Sequence, residues 1–377
     1  MKSKGYLLRG MAMTLLLFGA MGTQAYAGGA AYTMTNAPDD NQIVVFDRDD
    51  GGLLTKVDTI STGGKGSGGG VDPLGSQGSL VLVDRDSEHH GWRRHGRGRH
   101  DDGLLLAVNA GSNDVSVLHA DGSAIKLRDR VGSGGTFPVS LTVSGDTVYV
   151  LNNGTPANIA GFRLDGHGHL HSLPNSTRLL GDGAYGQVAF GPRGKLLIVT
   201  DKANNRLLVY RVAHHGMPSS MPVVTPSAGA VPFGVDFDRK GRLLVVEAGA
   251  NAVSSYDVGP DGRLHAISAS VPNGQIATCW IVVNRRGDIV TTNPGTHSLS
   301  TFRVDAGTGE VTLLNGTAGA GDAPLDIDLS KGGRFAYAVD PANGGVDMFK
   351  IEPDGSLTGM GNVNGGLASF AQGMAVR

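Results

Sequence analysis

Seven stretches of this chain are copies of one another, and a repeat of that size constrains the fold more than any other property of the sequence. Aligned on a closing aromatic residue, they read TNAPDDNQIVVF to Phe46, VNAGSNDVSVL to Leu118, LNNGTPANIAGF to Phe162, TDKANNRLLVY to Tyr210, VEAGANAVSSY to Tyr256, TNPGTHSLSTF to Phe302 and VDPANGGVDMF to Phe349, the second closing on leucine. Their key polar residues are Asn36, Asn109, Asn152, Asp201, Glu247, Asn293 and Asp340, spaced 73, 43, 49, 46, 46 and 47 residues apart. Each copy places an alternating apolar strand before that residue, then a loop, a second alternating strand, a turn such as PDGRL or PDGSL, and a weaker strand. Helical periodicity is not sustained after the first 27 residues. Repeats of ~40 to 50 residues with four strands each mark a β-propeller. The expected fold is therefore all-β: a seven-bladed β-propeller of four-stranded antiparallel blades. Residues Ser369 to Arg377 read as an innermost strand without partners, and Ala31 to Thr35 as a second strand lacking its first. Pairing the N- and C-terminal strands would close the ring and remove the exposed edges of an open array.

The opening 27 residues carry Lys2, Lys4 and Arg9, an apolar stretch from Met11 to Met21, and the small-x-small pattern Ala25-Tyr26-Ala27. That is the form of a cleaved secretory signal peptide, too short to span a membrane as a stable helix. No cysteine follows the apolar run, so lipid anchoring is not expected, and the mature protein is expected to be periplasmic or secreted. Residues 28–377 form a single propeller domain on this reading, with a Gly-rich insertion at about 61–79 and a His/Arg/Gly-rich insertion at about 86–102. No later stretch reaches the ~18 to 20 apolar residues of a spanning helix. The formal net charge of −2 argues against a nucleic-acid partner, which a strong basic excess would serve. One cysteine, Cys279, excludes an internal disulfide framework, so packing must supply stability. A monomer that takes a small-molecule ligand is expected.

With the strands labelled A to D outward from the axis, the D-to-A connections and B-to-C loops share one face, and the other turns share the opposite one. The first face collects the starts of the A strands, with Gln77, Ser140, Gln187, Phe233, Cys279, Trp280, Asp326 and Gln372, and the seven key polar residues. Such a concave polar mouth is the default ligand site. Its candidate substrate-binding residues are Gln77, Ser140, Asn152, Gln187, Trp280, Asn293, Asp326, Asp340 and Gln372. Asn and Asp at the start of a loop also serve simply to hold the turn through side chain to backbone hydrogen bonds. Glutamate makes such turns poorly, which singles out Glu247 as candidate general base, with Asp201 as a second catalytic candidate. Counted from the preceding glycine, copies five and six are one residue shorter, which leaves the alignment at Glu247 ambiguous by one place.

The opposite face collects histidines: His89, His90, His95 and His100 in the insertion, then His167, His169, His171, His214 and His215. Alternating and paired histidines can bind transition metals, but a Gly/Arg/His-rich insertion has no fixed spacing and reads as a solvated loop. His297, in the sixth B-to-C loop, is the histidine expected to reach the funnel face, where filling the turn is its simpler role. No G-x-S-x-G elbow occurs, and Cys279 beside Trp280 reads as buried filler. The Gly-rich insertion lacks the GxxxxGK[ST] pattern and a strand-to-helix context, so it is not a phosphate cradle.

The stretches DPLGSQGSLVL, LLLAVNAGSNDVSVL and VPFGVDF with LLVVEAGANAVSSYDV resemble the exported branch of the lactonase-type seven-bladed propellers, the group of 6-phosphogluconolactonase and carboxymuconate-lactonizing cyclase. The resemblance covers nearly all of the mature chain. Cyclase-like members place a His before one A strand, an Arg-His before the next, a Glu after the following B strand and an Arg after the one beyond. Those places hold Gly186-Gln187, Phe233-Gly234, Glu247 and Asn293-Pro294 here, so only the glutamate matches. Polyanionic substrates want fixed cations, and the resemblance therefore implies a lactonase-like hydrolase for a neutral or weakly charged lactone. Glu247 would act as general base on a water, with Asp201, Asn293 and Gln187 orienting the substrate or polarising its carbonyl. The other reading is a non-catalytic exported propeller that binds a ligand or partner protein through the funnel. No cofactor is expected, although Glu247, Asp201 and nearby amides are hard oxygen ligands of the kind that bind Ca²⁺.

Overall fold

The computed structural model describes residue 1, residues 28–84 and residues 102–377. The expected signal peptide and the four histidines at 89, 90, 95 and 100 lie outside the described residues. Seven antiparallel sheets form, six of them ordered from the axis outward as the chain runs and the seventh built from the last strand and the first three. Their innermost strands are Leu80–Asp84, Pro138–Ser144, Tyr185–Phe190, Pro232–Phe237, Trp280–Val283, Ile327–Leu329 and Gln372–Val376. In blade two the outer strand is broken into Leu170–Ser172 and Arg178–Leu179, both paired with Asn158–Leu164. No described helix is long and apolar enough to cross a membrane.

The burial gradient follows from the stacking of the blades. Second strands such as Thr147–Asn152, Leu196–Asp201 and Asp288–Asn293 are buried at every residue, because a neighbouring blade covers each face. Outer strands such as Ala124–Gly132 are largely exposed. The ring closes as the termini suggested: Gln372–Val376 pairs with Ala30–Met34, which continues into Gln42–Arg48 and Leu54–Ser61. Arg377 N donates to Ala30 O at 2.8 Å, and Arg48 Nε to Arg377 O at 3.0 Å.

The innermost strand of each blade has one edge with no strand beyond it. Its N–H groups face the axis and need acceptors. In four of the blades a polar side chain from the preceding blade supplies them. Val188 N donates to Ser140 Oγ (3.2 Å), Phe190 N to Thr142 Oγ1 (3.0 Å), Val235 N to Gln187 Oε1 (2.6 Å) and Val283 N to Asp236 Oδ2 (2.8 Å). Gly373 N donates to Asp326 Oδ2 (2.9 Å) and Val376 N to Asp328 Oδ2 (2.8 Å). Each bond spans 47 or 48 residues, one repeat. Farther out, Tyr149 and Tyr337 donate their hydroxyls to the Gly216 and Gly52 carbonyls of the next blade. Both glycines have positive φ, which the tight turn at each place requires.

These clasps surround an axial channel of about 490 Å³, lined from all seven innermost strands. Burial pushes the carboxyls of Asp236 up to about 6, Asp328 to about 7 and Asp326 to about 8. The folded chain thus holds protons that the unfolded chain releases at lower pH. Stability from these groups is full below the unfolded carboxyl pKa and is lost as pH rises through the folded values. Asp328→Asn keeps an acceptor for one of the two N–H groups that the carboxyl meets, Val376 N and Leu329 N, but cannot ionise. Its unfolding free energy should fall less with pH than that of the native chain, by about 1 kcal/mol per pH unit between about pH 4 and 7. Denaturant unfolding across that range checks this, and parallel curves for the two proteins would contradict it.

Candidate functional site

All seven key polar residues of the repeat are 0% exposed. Six of them fasten the loops at the end of their blades; Asn36 instead holds the Gly-rich insertion, its Oδ1 accepting from Ser67 N and its Nδ2 donating to Ser67 Oγ and Phe370 O. Asn109 donates to Asp114 and Ser116 and accepts from Asn41 and Thr62. Asn293 donates to Ser298 and Ser300 and accepts from Asn273 and Thr278. Asn152 donates to Ser133 O and Asn158, Asp201 accepts from Asn204 and Arg206, and Asp340 accepts from the Asp322 and Ala323 amides and Asn343.

Glu247 belongs to the same series. Its Oε1 accepts from Gly229 N (2.7 Å), Ser254 Oγ (2.8 Å) and Ser227 Oγ (3.0 Å), and its Oε2 is buried without a partner. The extra methylene reaches the connection Ser227–Gly229, and a methyl group on Gly229 would collide with Glu247 Oε2. Glu247 and Asp201 share no partner, and neither reaches the axial mouth. Among the described residues, no group of three or more His, Cys, Asp or Glu converges where a metal ion could sit.

The structure does bring together Gln77, Ser140, Gln187, Trp280, Asp326 and Gln372, around a feature that composition alone did not indicate. The Gly-rich insertion crosses the mouth as a strap. Its base is anchored by Gly66 N to Ala37 O, Gly68 N to Asn36 O and Gly111 N to Lys65 O. Its tip, Asp72–Gly78, meets four blades. Leu74 N donates to Gln372 Oε1 (2.9 Å), Trp280 Nε1 to Ser76 O (2.9 Å) and Ser76 Oγ to Val139 O (2.6 Å). Gln77 N donates to Gly186 O, while its side chain exchanges two bonds with the Ile281 backbone at 2.8 and 3.1 Å. Gly234 must lack a side chain, because a methyl group there would strike Gln77 Oε1.

Two charged residues that the sequence reading passed over lie at this tip. Lys202 donates to Gly75 O, and its ammonium sits 4.8 Å from the centroid of the Phe233 ring. Phe233 packs edge-on against Trp280 at 5.1 Å. Asp72 accepts from Gln372 Nε2 and, at 2.9 Å, from Gly75 N. Burial pushes the Asp72 carboxyl up to about 6 against the opposing pull of Lys202, and burial lowers the Lys202 ammonium despite Asp72. Cys279 is buried, and burial raises its thiol. Both charged groups remain partly open to solvent.

Strand alternation shows why Lys202 is there. Because the key polar residue turns into the blade, the residue after it turns toward the mouth. Those residues are Ala37, Ala110, Asn153, Lys202, Ala248, Pro294 and Pro341, and only Lys202 is charged. That signal was present in the sequence, one place beyond the residues it singled out. Asp72 has no such periodic mark, since it lies in the insertion. His297 is exposed, with its ring against the Asp322 carbonyl oxygen.

A family model described as Lactonase, 7-bladed beta-propeller, matches residues 277–368. A comparison with curated proteins yields no match. Among solved structures, a candidate 6-phosphogluconolactonase from Bacteroides uniformis superposes with a TM-score of 0.70 at 15% identity, covering 93% of this chain and 99% of that one. The periplasmic gluconolactonase of Pseudomonas aeruginosa gives 0.66 at 16% identity, with 92% and 99% covered. The virginiamycin B lyase of Staphylococcus aureus gives 0.50 at 16% identity, with 75% and 88% covered. At such identities the likeness is one of fold. The chain is a seven-bladed β-propeller, and residues 277–368 match the sequence model of the seven-bladed lactonase propellers.

Proposed function

We propose that the protein is an exported lactonase-like hydrolase whose reaction takes place at the mouth, between Asp72 and Lys202. The observation that carries this reading is their juxtaposition: a carboxyl raised to about 6 beside a partly desolvated ammonium, against the Phe233 and Trp280 rings. The two groups suit opposite halves of one reaction. Asp72 takes a proton from a water as it attacks the lactone carbonyl carbon. Lys202, with three donors on a flexible stem, stabilises the negative charge that develops on the carbonyl oxygen. The ring C–O bond then breaks, and the proton on Asp72 passes to the departing alkoxide to give the hydroxy acid. One cation beside one carboxylate favours a neutral or weakly charged lactone over a polyanion. Export rests on the N-terminal 27 residues, and a monomer is the simplest state for a closed ring.

On this reading Asp72→Asn lowers kcat by about 10² to 10⁴-fold on a panel of chromogenic lactones. Lys202→Met costs about 10² to 10³-fold. Both should keep the native melting temperature within a few degrees. Glu247→Gln should leave kcat unchanged, whereas a loss there with Asp72→Asn unaffected would return the chemistry to Glu247.

The pH profile supplies an independent check. Asp72 must be ionised to act, so kcat/KM should rise with pH through about 6. Any residual activity of Lys202→Met should rise at higher pH, because the charge that favours the Asp72 carboxylate is gone. An acid limb that does not move would contradict the pairing.

A non-catalytic ligand-binding propeller is the second reading, favoured by one observation. The strap already satisfies the polar groups of the mouth at Trp280, Gln372 and Ile281. Equal, background-level turnover by the native chain and both variants would decide for it.

A further inference from the structure

The strap is anchored at both ends and held loosely between them. Its base, Gly64–Gly68, is pressed against neighbouring backbone and side chains: a methyl group on Gly66 would overlap the Asn36 backbone, and one on Gly64 the Asn109 amide. Its tip ends in Gln77, wedged over Gly234 and bonded to Ile281. Between these lie Gly69, at φ 107°, Gly70, with nothing within 4 Å of where a side chain would start, and Val71, 56% exposed. A glycine pair with one unencumbered member and one at positive φ is built to swing. Asp72 follows directly and itself adopts φ 51°, turned so that its carboxylate caps the Gly75 amide.

None of the bonds that hold the tip is part of a strand ladder. Opening breaks the bonds from Leu74, Trp280, Ser76, Gln77 and Lys202 together with those of Gln372 Nε2 to Asp72 and of Ser140 Oγ to Gln77 O, and it exposes the buried Leu74 and Ser76, while the strand pairing within each sheet stays intact. The partners it leaves behind, the Trp280 indole, the Gln372 amide and the Lys202 ammonium, are the groups a polar ligand would use. Half of the proposed site therefore rides on the strap and half on the ring.

We propose that Gly69–Gln77 is a hinged gate. It swings away to admit the ligand to Phe233, Trp280 and Lys202, and closes to bring Asp72 onto the reacting centre. This rests on the hydrolase reading for its catalytic half and on geometry alone for its mechanical half. Closure would also shield the reaction from bulk water, as loop closure does elsewhere.

Amide hydrogen exchange on the full mature chain separates the two halves. A gate predicts that the Leu74, Gly75 and Gln77 amides exchange through a local opening insensitive to low denaturant, at least ~10²-fold faster than ladder amides of Tyr185–Phe190. Gln77→Ala should speed those amides a further ~10-fold and leave the ladder unchanged. Gly234→Ala, which evicts Gln77 from the other side, should do the same. Strap amides that exchange only with global unfolding, in step with the ladder, would overturn the gate even if Asp72→Asn abolishes turnover. Local opening in a chain that hydrolyses no lactone would uphold the gate and reject the hydrolase reading alone.

Discussion

The N–H groups along the inner edge of each blade have no strand to pair with, and everything at the axis follows from how they are satisfied. In four of the blades the preceding blade answers with a hydroxyl, an amide or a carboxylate one repeat earlier in the chain, and Leu141 N and Ile281 N are met by Gly78 O and Gln77 Oε1. An unmet backbone donor at such a position costs about 1 to 3 kcal/mol, so a series of clasps around the ring is a substantial share of a domain's net stability. The same bonds fix the relative rotation of adjacent blades. They thereby hold the starts of seven strands at one mouth.

Seen this way, the polar lining of the axis is chiefly structural. Ser140, Gln187 and Asp326 carry ring contacts, and the fasteners of the repeat, Glu247 among them, carry loop contacts. The proposed function lies where the described chain departs from its own repeat, at the Gly-rich strap and the lysine beneath it. Regular positions in a repeat protein are constrained by their neighbours. Irregular ones are free to acquire a task.

The architecture was legible because it rests on periodicity. Seven copies, four strands in each and two complementary termini led to the ring without reference to any single contact. The face of each residue was harder to read, since a shift of one place reverses every side chain. The sequence drew attention to Glu247 for its unusual length, yet that length serves to reach the Ser227–Gly229 connection. Lys202, one place after Asp201, is the neighbour that the proposed reaction uses. The strap was illegible for another reason: its glycines recorded flexibility, whereas its path is set by contacts more than 60 residues away in sequence, to Val139, Gly186, Lys202, Trp280 and Gln372. The same fold is shared by a virginiamycin B lyase and a gluconolactonase, so the fold alone does not set the chemistry.

The most direct test of this account is a crystal structure of the mature protein soaked with a lactam, the slowly hydrolysed isostere of a lactone. The account predicts electron density for the ring at the mouth, its carbonyl oxygen within hydrogen-bond distance of Lys202 Nζ and its carbonyl carbon open to a water held by Asp72. Density confined to the axial channel below Gln77, or beside Glu247 within blade four, would contradict it.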